Sequence, residues 1–153
     1  MWTQLLFIAV VLASLTAHAA ERFDPQLAVA LSRTRSGLLT VPVEVAGHTF
    51  TFLLDTGSAR TVLSTEAARA IKLKTFPGAQ LIGATGATEV EHGWVDELRV
   101  GPVRLERHLV VVLDLTPLAR RDVLIDGILG ADVLLRGRMR LDFAEGRLWL
   151  GGS

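Results

Sequence analysis

The sequence has 153 residues, the length of one ordinary domain, and half of them are hydrophobic, which is enough to build a core. Acidic and basic residues number 16 each and form no long run of one sign, so the charge pattern does not favour nucleic acid or an acidic membrane surface as a partner. There is no cysteine, which excludes disulfide bonds, a thiolate zinc site and a cysteine nucleophile.

The N-terminal segment is apolar. Residues 1–20 contain no ionised side chain, and the apolar stretch over residues 5–15 leads to Ala17-His18-Ala19, which fits the small-x-small rule of signal peptidase. Residues 1–19 are therefore predicted to be a signal peptide, which predicts a periplasmic or secreted protein. The alternative is an uncleaved N-terminal anchor, although the stretch is shorter than the roughly 20 residues that a spanning helix needs. Only the anchored form would have the membrane as a partner.

After a mixed segment over residues 20–37, interpreted as a connector, the sequence takes on the pattern of a β protein. Apolar residues alternate with others from position 39 to position 45, which is the period of a half-buried strand. Pro42 within this strand predicts an edge position or irregular pairing. Ala46-Gly47-His48 then predicts a hairpin turn before a returning strand over residues 49–54.

Short strands continue to the end of the chain, with turn signals at a spacing of roughly 8–12 residues. Ser64 or Thr65 is expected to cap a short helix over residues 66–71, and one or two further helical turns are predicted over residues 131–135. The fold class predicted for residues 38–153 is therefore all-β, a single closed or nearly closed β-barrel domain with one or two short helices.

Two motifs carry the chemistry. Asp55-Thr56-Gly57-Ser58 follows directly on an apolar run, so a strand delivers a carboxylate into a tight turn. Alone this is weak evidence, because an Asp in a turn can simply hydrogen-bond to its own backbone. Farther along, Gly127-Ile128-Leu129-Gly130 places an apolar pair between glycines. Asp126 and Asp132 flank this second motif but lie outside any Asp-[Thr/Ser]-Gly context, so both are predicted to be structural.

In this order, the two motifs resemble the signature elements of the retropepsin-like aspartic proteases, and residues 126–134 match the bacterial single-domain branch closely. The resemblance covers about residues 38–150. It implies an acid-protease-like barrel and an aspartic endopeptidase that acts on a protein or peptide substrate without a cofactor. Because the chain carries one Asp-Thr-Gly, it also implies a homodimer in which each chain supplies one Asp55.

The chemistry explains these residue types. Two carboxylates that share one proton can activate a water molecule and protonate the carbonyl oxygen of a peptide bond, since like charges a few Å apart cannot both ionise. The resemblance implies that Asp55, Thr56 and Gly57 are the catalytic residues, with the Thr56 hydroxyl reaching across the dimer axis and Gly57 supplying an amide donor. Ser58 is expected to contact the outer oxygen of Asp55. The segment expected to support the active-site loop from behind comprises Ile128, Leu129 and Gly130, the last permitting close chain approach.

A glycine-rich hairpin over residues 81–92 is the predicted flap, with its tip near Thr85-Gly86-Ala87. Such a flap opens and closes over a substrate. The residues assigned to substrate binding there are Gly83, Ala84, Thr85 and Gly86. The alternative is that these glycines only make a tight turn.

Competing hypotheses remain open. Glu89 and Glu91 share one face of a strand while His92 points away, so a solvated face is predicted there and no metal site. A non-catalytic peptide-binding module on the same barrel is the main rival function, because fold does not imply function. A monomer in which Asp55 only makes a turn is the second rival.

Overall fold

The computed structural model describes residues 23–78, 81–83, 86–88, 90–119 and 125–151. The predicted signal peptide, residues 1–19, lies outside these ranges. In the part of the chain that is described, no helix is long and apolar enough to cross a membrane.

The described chain is mostly β. Its strands are β1 Val29–Ala30, β2 Ser32–Arg33, β3 Leu39–Val45, β4 His48–Leu54, β5 Val62–Ser64, β6 Thr75–Pro77, β7 Leu81–Gly83, β8 Gly86–Thr88, β9 Glu91–Val100, β10 Val103–Leu113, β11 Gly127–Leu129, β12 Arg138–Asp142 and β13 Arg147–Gly151. Its helices are α1 Thr65–Ala70, α2 Thr116–Ala119 and α3 Ala131–Leu134, and a 3-10 turn spans Pro25–Leu27.

Six strands close into a barrel in the order β3-β4-β11-β5-β10-β9. Strand β9 returns to β3 through the pairs Glu44↔Arg99 and Val45↔Leu98. Closure leaves fewer unpaired strand edges than an open sheet of the same strands would have. The predicted all-β barrel is confirmed.

Strand β11 lies between β4 and β5, the two strands that residues 55–61 connect. It runs parallel to β4, with Ile128 beside Leu53, and antiparallel to β5, with Ile128 beside Val62. The connection from β4 to β5 must therefore cross the end of β11. This crossing brings residues 55–61 against the residues that follow β11.

Two of the helices lie where the sequence predicts them. Helix α1 begins after Ser64 because the Ser64 hydroxyl accepts the backbone N–H of Ala67 at 3.0 Å, which satisfies one free donor of the first turn. Helix α3 covers four of the five residues predicted over 131–135.

Helix α2 is a third helix, whereas the sequence predicts one or two short helices, neither of them over residues 116–119. The Asp114 side chain accepts the backbone N–H of Thr116 at 2.9 Å, which starts the turn. Pro117 has the fixed φ that suits the first turn of a helix, where its missing N–H costs nothing. These two local effects are enough to make one turn of helix.

The segment interpreted as a connector, residues 20–37, contributes two strands to the sheets. Strand β1 pairs with β13 in a three-stranded sheet that also contains β12, and β2 pairs with β3. The ring N–H of the buried Trp149 donates to the Asp24 carbonyl oxygen at 2.9 Å, and the Arg140 guanidinium lies over the Trp149 ring at 5.1 Å. These contacts tie the beginning of the described chain to its last strands.

The β3–β4 hairpin has the turn that the sequence predicts. Ala46 and Gly47 both have positive φ, 48° and 80°, which matches the twist of the two strands and sets Val45 opposite His48. Pro42 pairs regularly with Thr51 of β4, and the irregularity predicted for it lies on the other edge of β3. The outer edge of β3 bonds to β2 before Pro42 and to β9 after it, so the missing N–H of Pro42 falls in the gap between them.

One face of β3 and its neighbouring strands contribute to the main core. Val41, Val43 and Val45 of β3 have at most 1% of their surface exposed, and Phe52 and Leu129 on the neighbouring strands are fully buried. Burying each such side chain contributes about 1.5–3 kcal/mol. Phe52 and Leu129, which lie beneath the connection from β4 to β5, therefore belong to the main core.

We predict that Gly127→Ala destabilises the protein. An added Cβ would lie 2.5 Å from a Phe52 ring carbon and 2.6 Å from the Val62 carbonyl oxygen, so the core must shift. The free energy of unfolding, measured by urea titration, should fall by about 1–3 kcal/mol. The control is Gly151→Ala, whose Cβ would meet nothing closer than 3.7 Å. Equal unfolding midpoints for the two variants would contradict this account.

Candidate active site

The Asp55 loop, defined as residues 55–61, begins where β4 ends. The Gly57 N–H donates to Asp55 Oδ1 at 2.8 Å, and the Ser58 N–H donates to the Asp55 carbonyl oxygen at 3.3 Å. This turn orients the carboxylate through the backbone. Asp55 is half-buried, whereas Thr56 and Gly57 are exposed, so the loop presents its tip to the outside of the chain.

The Asp55 loop rests on the segment that the sequence analysis places behind it. The Asp55 N–H donates to the Leu129 carbonyl oxygen at 3.1 Å, and the Ala131 N–H donates to the Ser58 carbonyl oxygen at 2.8 Å. Ile128 lies in β11, beside β4. The structure thus brings Asp55, Ser58, Ile128 and Leu129 into one small region.

Gly130 is where the Asp55 loop comes closest to this segment. A Cβ on Gly130 would lie 2.5 Å from the carbonyl carbon and oxygen of Arg60 and 2.9 Å from the Thr61 nitrogen. These are backbone atoms, so they cannot rotate out of the way. Only glycine allows the two chain segments to approach this closely.

The Ser58 side chain differs from the expectation. Its hydroxyl donates to the Arg60 carbonyl oxygen at 2.8 Å, within the loop, instead of contacting the Asp55 carboxylate. The reason is local, because the turn brings the carbonyl two residues ahead within reach of a short hydroxyl side chain. Ser58 therefore stiffens the Asp55 loop in the single chain.

Asp132 fixes the far end of the Asp55 loop. Its Oδ1 accepts the Thr61 hydroxyl at 2.7 Å, and its Oδ2 accepts the Thr61 N–H at 3.0 Å. Nε2 of the buried His108 lies 3.2 Å from the same Oδ2, although the pair lacks the geometry of an ordinary hydrogen bond. Thr61 is fully buried, and its hydroxyl also accepts the Gly130 N–H at 3.2 Å.

The pKa of the Asp132 carboxyl is lowered. Burial alone would raise this pKa, but the His108 ring and the two hydrogen bonds from Thr61 favour the carboxylate more strongly. The net result lies below the ordinary value of 3.8.

Asp126 is also held by the fold. Its Oδ2 accepts the Thr51 N–H at 2.8 Å, and its own N–H donates to the Thr51 carbonyl oxygen at 2.8 Å. The Asp126 carbonyl oxygen accepts the Ser64 N–H at 2.7 Å. Asp126 thus links β4 to the end of β5, a structural role of the kind the sequence analysis assigns to it.

The predicted flap contains a hairpin of strands β7 and β8. Gly83 lies opposite Gly86, and Gly86 and Ala87 of the expected tip belong to strand β8. Ala84 and Thr85 themselves lie outside the described residues. At the base of the hairpin, the Gly78 N–H donates to the Val90 carbonyl oxygen at 2.8 Å. The role of this hairpin as a flap stays a prediction.

For Glu89, Glu91 and His92 the sequence predicts a solvated face. His92 stacks on Phe76, with 6.2 Å between ring centroids. Glu91 is exposed, and Glu89 lies outside the described residues. Among the residues that the structure describes, no three His, Asp or Glu side chains are grouped to hold a metal ion.

The contacts among Thr61, His108 and Asp132 are not evident from the sequence. The sequence predicts only that Asp132 is structural. The one local feature that could have indicated a role for Thr61 is its position, a hydroxyl residue directly before the apolar pair Val62-Leu63. No comparable signal identifies His108.

Comparison with known proteins is consistent with this geometry. Residues 41–133, more than half of the chain, match the family model described as aspartyl protease. The fold is similar to the crystal structure of a retropepsin-like aspartic protease from Rickettsia conorii, with a TM-score of 0.60 and 20% identity over 79% of this chain and 87% of that one. It is also similar to the EIAV protease complexed with an inhibitor, with a TM-score of 0.51 and 23% identity over 67% of this chain and 91% of that one. No curated protein gives a significant match.

We predict that Asp132 makes stability depend on pH. Because its pKa is lower in the folded chain, the unfolded chain takes up the proton first as pH falls. The stabilisation is therefore present above the unfolded pKa and is lost as pH falls through the folded pKa. Asp132→Asn should lower the free energy of unfolding by roughly 1–3 kcal/mol at pH 7.

Urea titrations at pH 7, 5 and 3 measure this effect. The difference between wild type and Asp132→Asn should shrink at the lowest pH. A difference that stays constant over this range would show that the charge of Asp132 does not contribute to stability.

Proposed function

Because this chain belongs to the aspartyl protease family and has a retropepsin-like fold, we propose that it is an endopeptidase whose active site forms between two copies of the chain. Family and fold support protease function as such. The proposal adds that the two Asp55 carboxylates of a homodimer are the catalytic groups, that the substrate is a protein or peptide, and that no cofactor takes part.

One observation carries the proposal, namely a single Asp-Thr-Gly whose carboxylate is oriented on an exposed loop. The backbone of one chain fixes Asp55, yet the shared-proton mechanism needs two such carboxylates in contact. Thr56 and Gly57 are exposed at the loop tip, where a second copy can approach. A two-fold axis through this point would place two identical loops face to face, an isologous interface.

The chemistry follows from that pairing. The ionised Asp55 takes a proton from water as the water oxygen attacks the peptide carbonyl carbon. The protonated Asp55 of the other chain gives its proton to the carbonyl oxygen, and a tetrahedral diol forms. The Asp55 that took the proton from water then gives it to the peptide nitrogen, and the other Asp55 takes a proton from a diol hydroxyl as the C–N bond breaks. An amine and a carboxylic acid leave, and the two carboxylates again share one proton.

The remaining assignments belong to the same proposal. Thr56 would link the two loops across the axis, and the β7–β8 hairpin, with Gly83 and Gly86, would close over the substrate. Residues 1–19 would direct the protein to the periplasm or the medium. The rival function, a peptide-binding module without catalysis, differs from this proposal in that it predicts binding without cleavage.

We predict that Asp55→Asn abolishes peptide cleavage and leaves the fold intact. The amide keeps the size of the side chain and can accept the Gly57 N–H, but it cannot act as a general base, so turnover should fall by at least about 100-fold. Mass spectrometry of a digested peptide library, between pH 3 and 8, measures cleavage.

The matched control is Asp142→Asn. Asp142 is half-buried and accepts two backbone N–H groups in a turn, from Ala144 at 3.1 Å and Glu145 at 2.9 Å, but it lies in the three-stranded sheet. This variant should keep full activity. Near-normal turnover by Asp55→Asn would refute the proposed catalytic role, and library peptides bound but never cleaved by wild type would favour the peptide-binding module.

We predict that specific activity rises with protein concentration until the dimer saturates, because mass action governs the number of complete sites. Sedimentation velocity on the same dilution series measures the dimer fraction. Mixing wild type with excess Asp55→Asn should lower activity more than equal dilution, since each mixed dimer has one carboxylate. A monomer with constant specific activity over the series would contradict the shared site.

A further inference from the structure

The Asp55 loop is held at both ends by one short segment, residues 129–132. Leu129 accepts the N–H of Asp55 at the start of the loop, and Ala131 donates to Ser58 in its middle. Asp132 binds Thr61 at its end. The first two contacts use backbone atoms and need only the right chain path, whereas the third requires a particular side chain.

Asp132 is suited to this third contact. Its two oxygens accept both donors of Thr61, the hydroxyl and the backbone N–H, so the end of the loop is fixed in position and in orientation. The Thr61 hydroxyl in turn accepts the N–H of Gly130, which would otherwise be a buried donor without a partner. Removing this hydroxyl therefore disturbs the loop and the supporting segment together.

His108 supports Asp132 from strand β10. The side chains of His108 and Asp132 are only 6% and 10% exposed, and Nε2 lies 3.2 Å from Oδ2. The Thr61 carbonyl oxygen accepts the Val111 N–H on the same strand at 3.0 Å. Strand β10 therefore contacts both Thr61, through Val111, and Asp132, through His108.

We propose that Asp132, backed by His108, is a positioning residue that holds the Asp55 loop in its catalytic geometry through Thr61. This inference rests on the proposed catalytic role of Asp55. Asp132 does not touch the reacting atoms in this account. It acts by keeping a half-buried loop from moving, and displacement of a catalytic group by about 1 Å can cost about 100-fold in rate.

The first test compares two variants of Thr61. Thr61→Val keeps the shape but removes the hydroxyl, so kcat should fall about tenfold or more while KM changes less than about threefold. Thr61→Ser keeps the hydroxyl and should restore kcat to within about threefold of wild type. Equal kcat for Thr61→Val and wild type would overturn the proposal.

The second test does not require catalysis. Amide hydrogen exchange at Gly57 and Ser58, followed by NMR, reports how firmly the Asp55 loop is held. Exchange should be at least about tenfold faster in Thr61→Val than in Thr61→Ser, and unchanged exchange would overturn the proposal. Because this readout is independent of turnover, an inactive wild type would count against the proposed function alone.

A third comparison remains informative if Thr61→Val does not fold. Asp132→Asn cannot accept both Thr61 donors, whereas Asp126→Asn perturbs the comparable contact to Thr51 in strand β4. Both substitutions should lower stability. Only Asp132→Asn should lower kcat and loosen the Gly57 amide, and equal kcat losses in the two variants would show that Asp132 acts through stability alone.

Discussion

The position of β11 between β4 and β5 is the constraint on which the rest of the site depends. The Asp55 loop joins those two strands and must cross the end of the strand that separates them. Gly127 and Gly130 are needed because the Phe52 ring and the Arg60 backbone occupy the space that a larger residue would take. The loop therefore packs against core backbone, and contacts within the single chain orient the Asp55 carboxylate.

The barrel and the Asp55 loop could be predicted from the sequence because their signals are local. The alternation in β3, the turn at Ala46-Gly47 and the cap at Ser64 each act over a few residues. Strands β1 and β2 could not be predicted, since two residues cannot show a period. Helix α2 could not be predicted because it is a single turn, which depends on one side-chain contact from Asp114 and on Pro117.

The Thr61–Asp132 contact could not be predicted because it joins positions that are 71 residues apart. The sequence predicts a structural role for Asp132, because it lies outside any Asp-[Thr/Ser]-Gly context, but it does not indicate the partner. The structure supplies the partner and shows a contrast across the Asp55 loop. Asp55, Ser58 and Thr61 are hydrogen-bonded to the segment over residues 129–132, while the tip at Thr56 and Gly57 is exposed. In the proposed function, the exposed tip is the part of the loop that a second copy would approach.

Pro42 has a consequence for solubility. Along the outer edge of β3, the bonds to β2 end before Pro42 and the bonds to β9 begin after it. An unpaired stretch of strand edge can recruit strands from other molecules and start aggregation. Pro42 has no backbone N–H to donate. The stretch of β3 that is unpaired on this edge is therefore a poor template for a strand from another molecule. The edge of β3 at Pro42 is thus protected against pairing with a strand of another molecule.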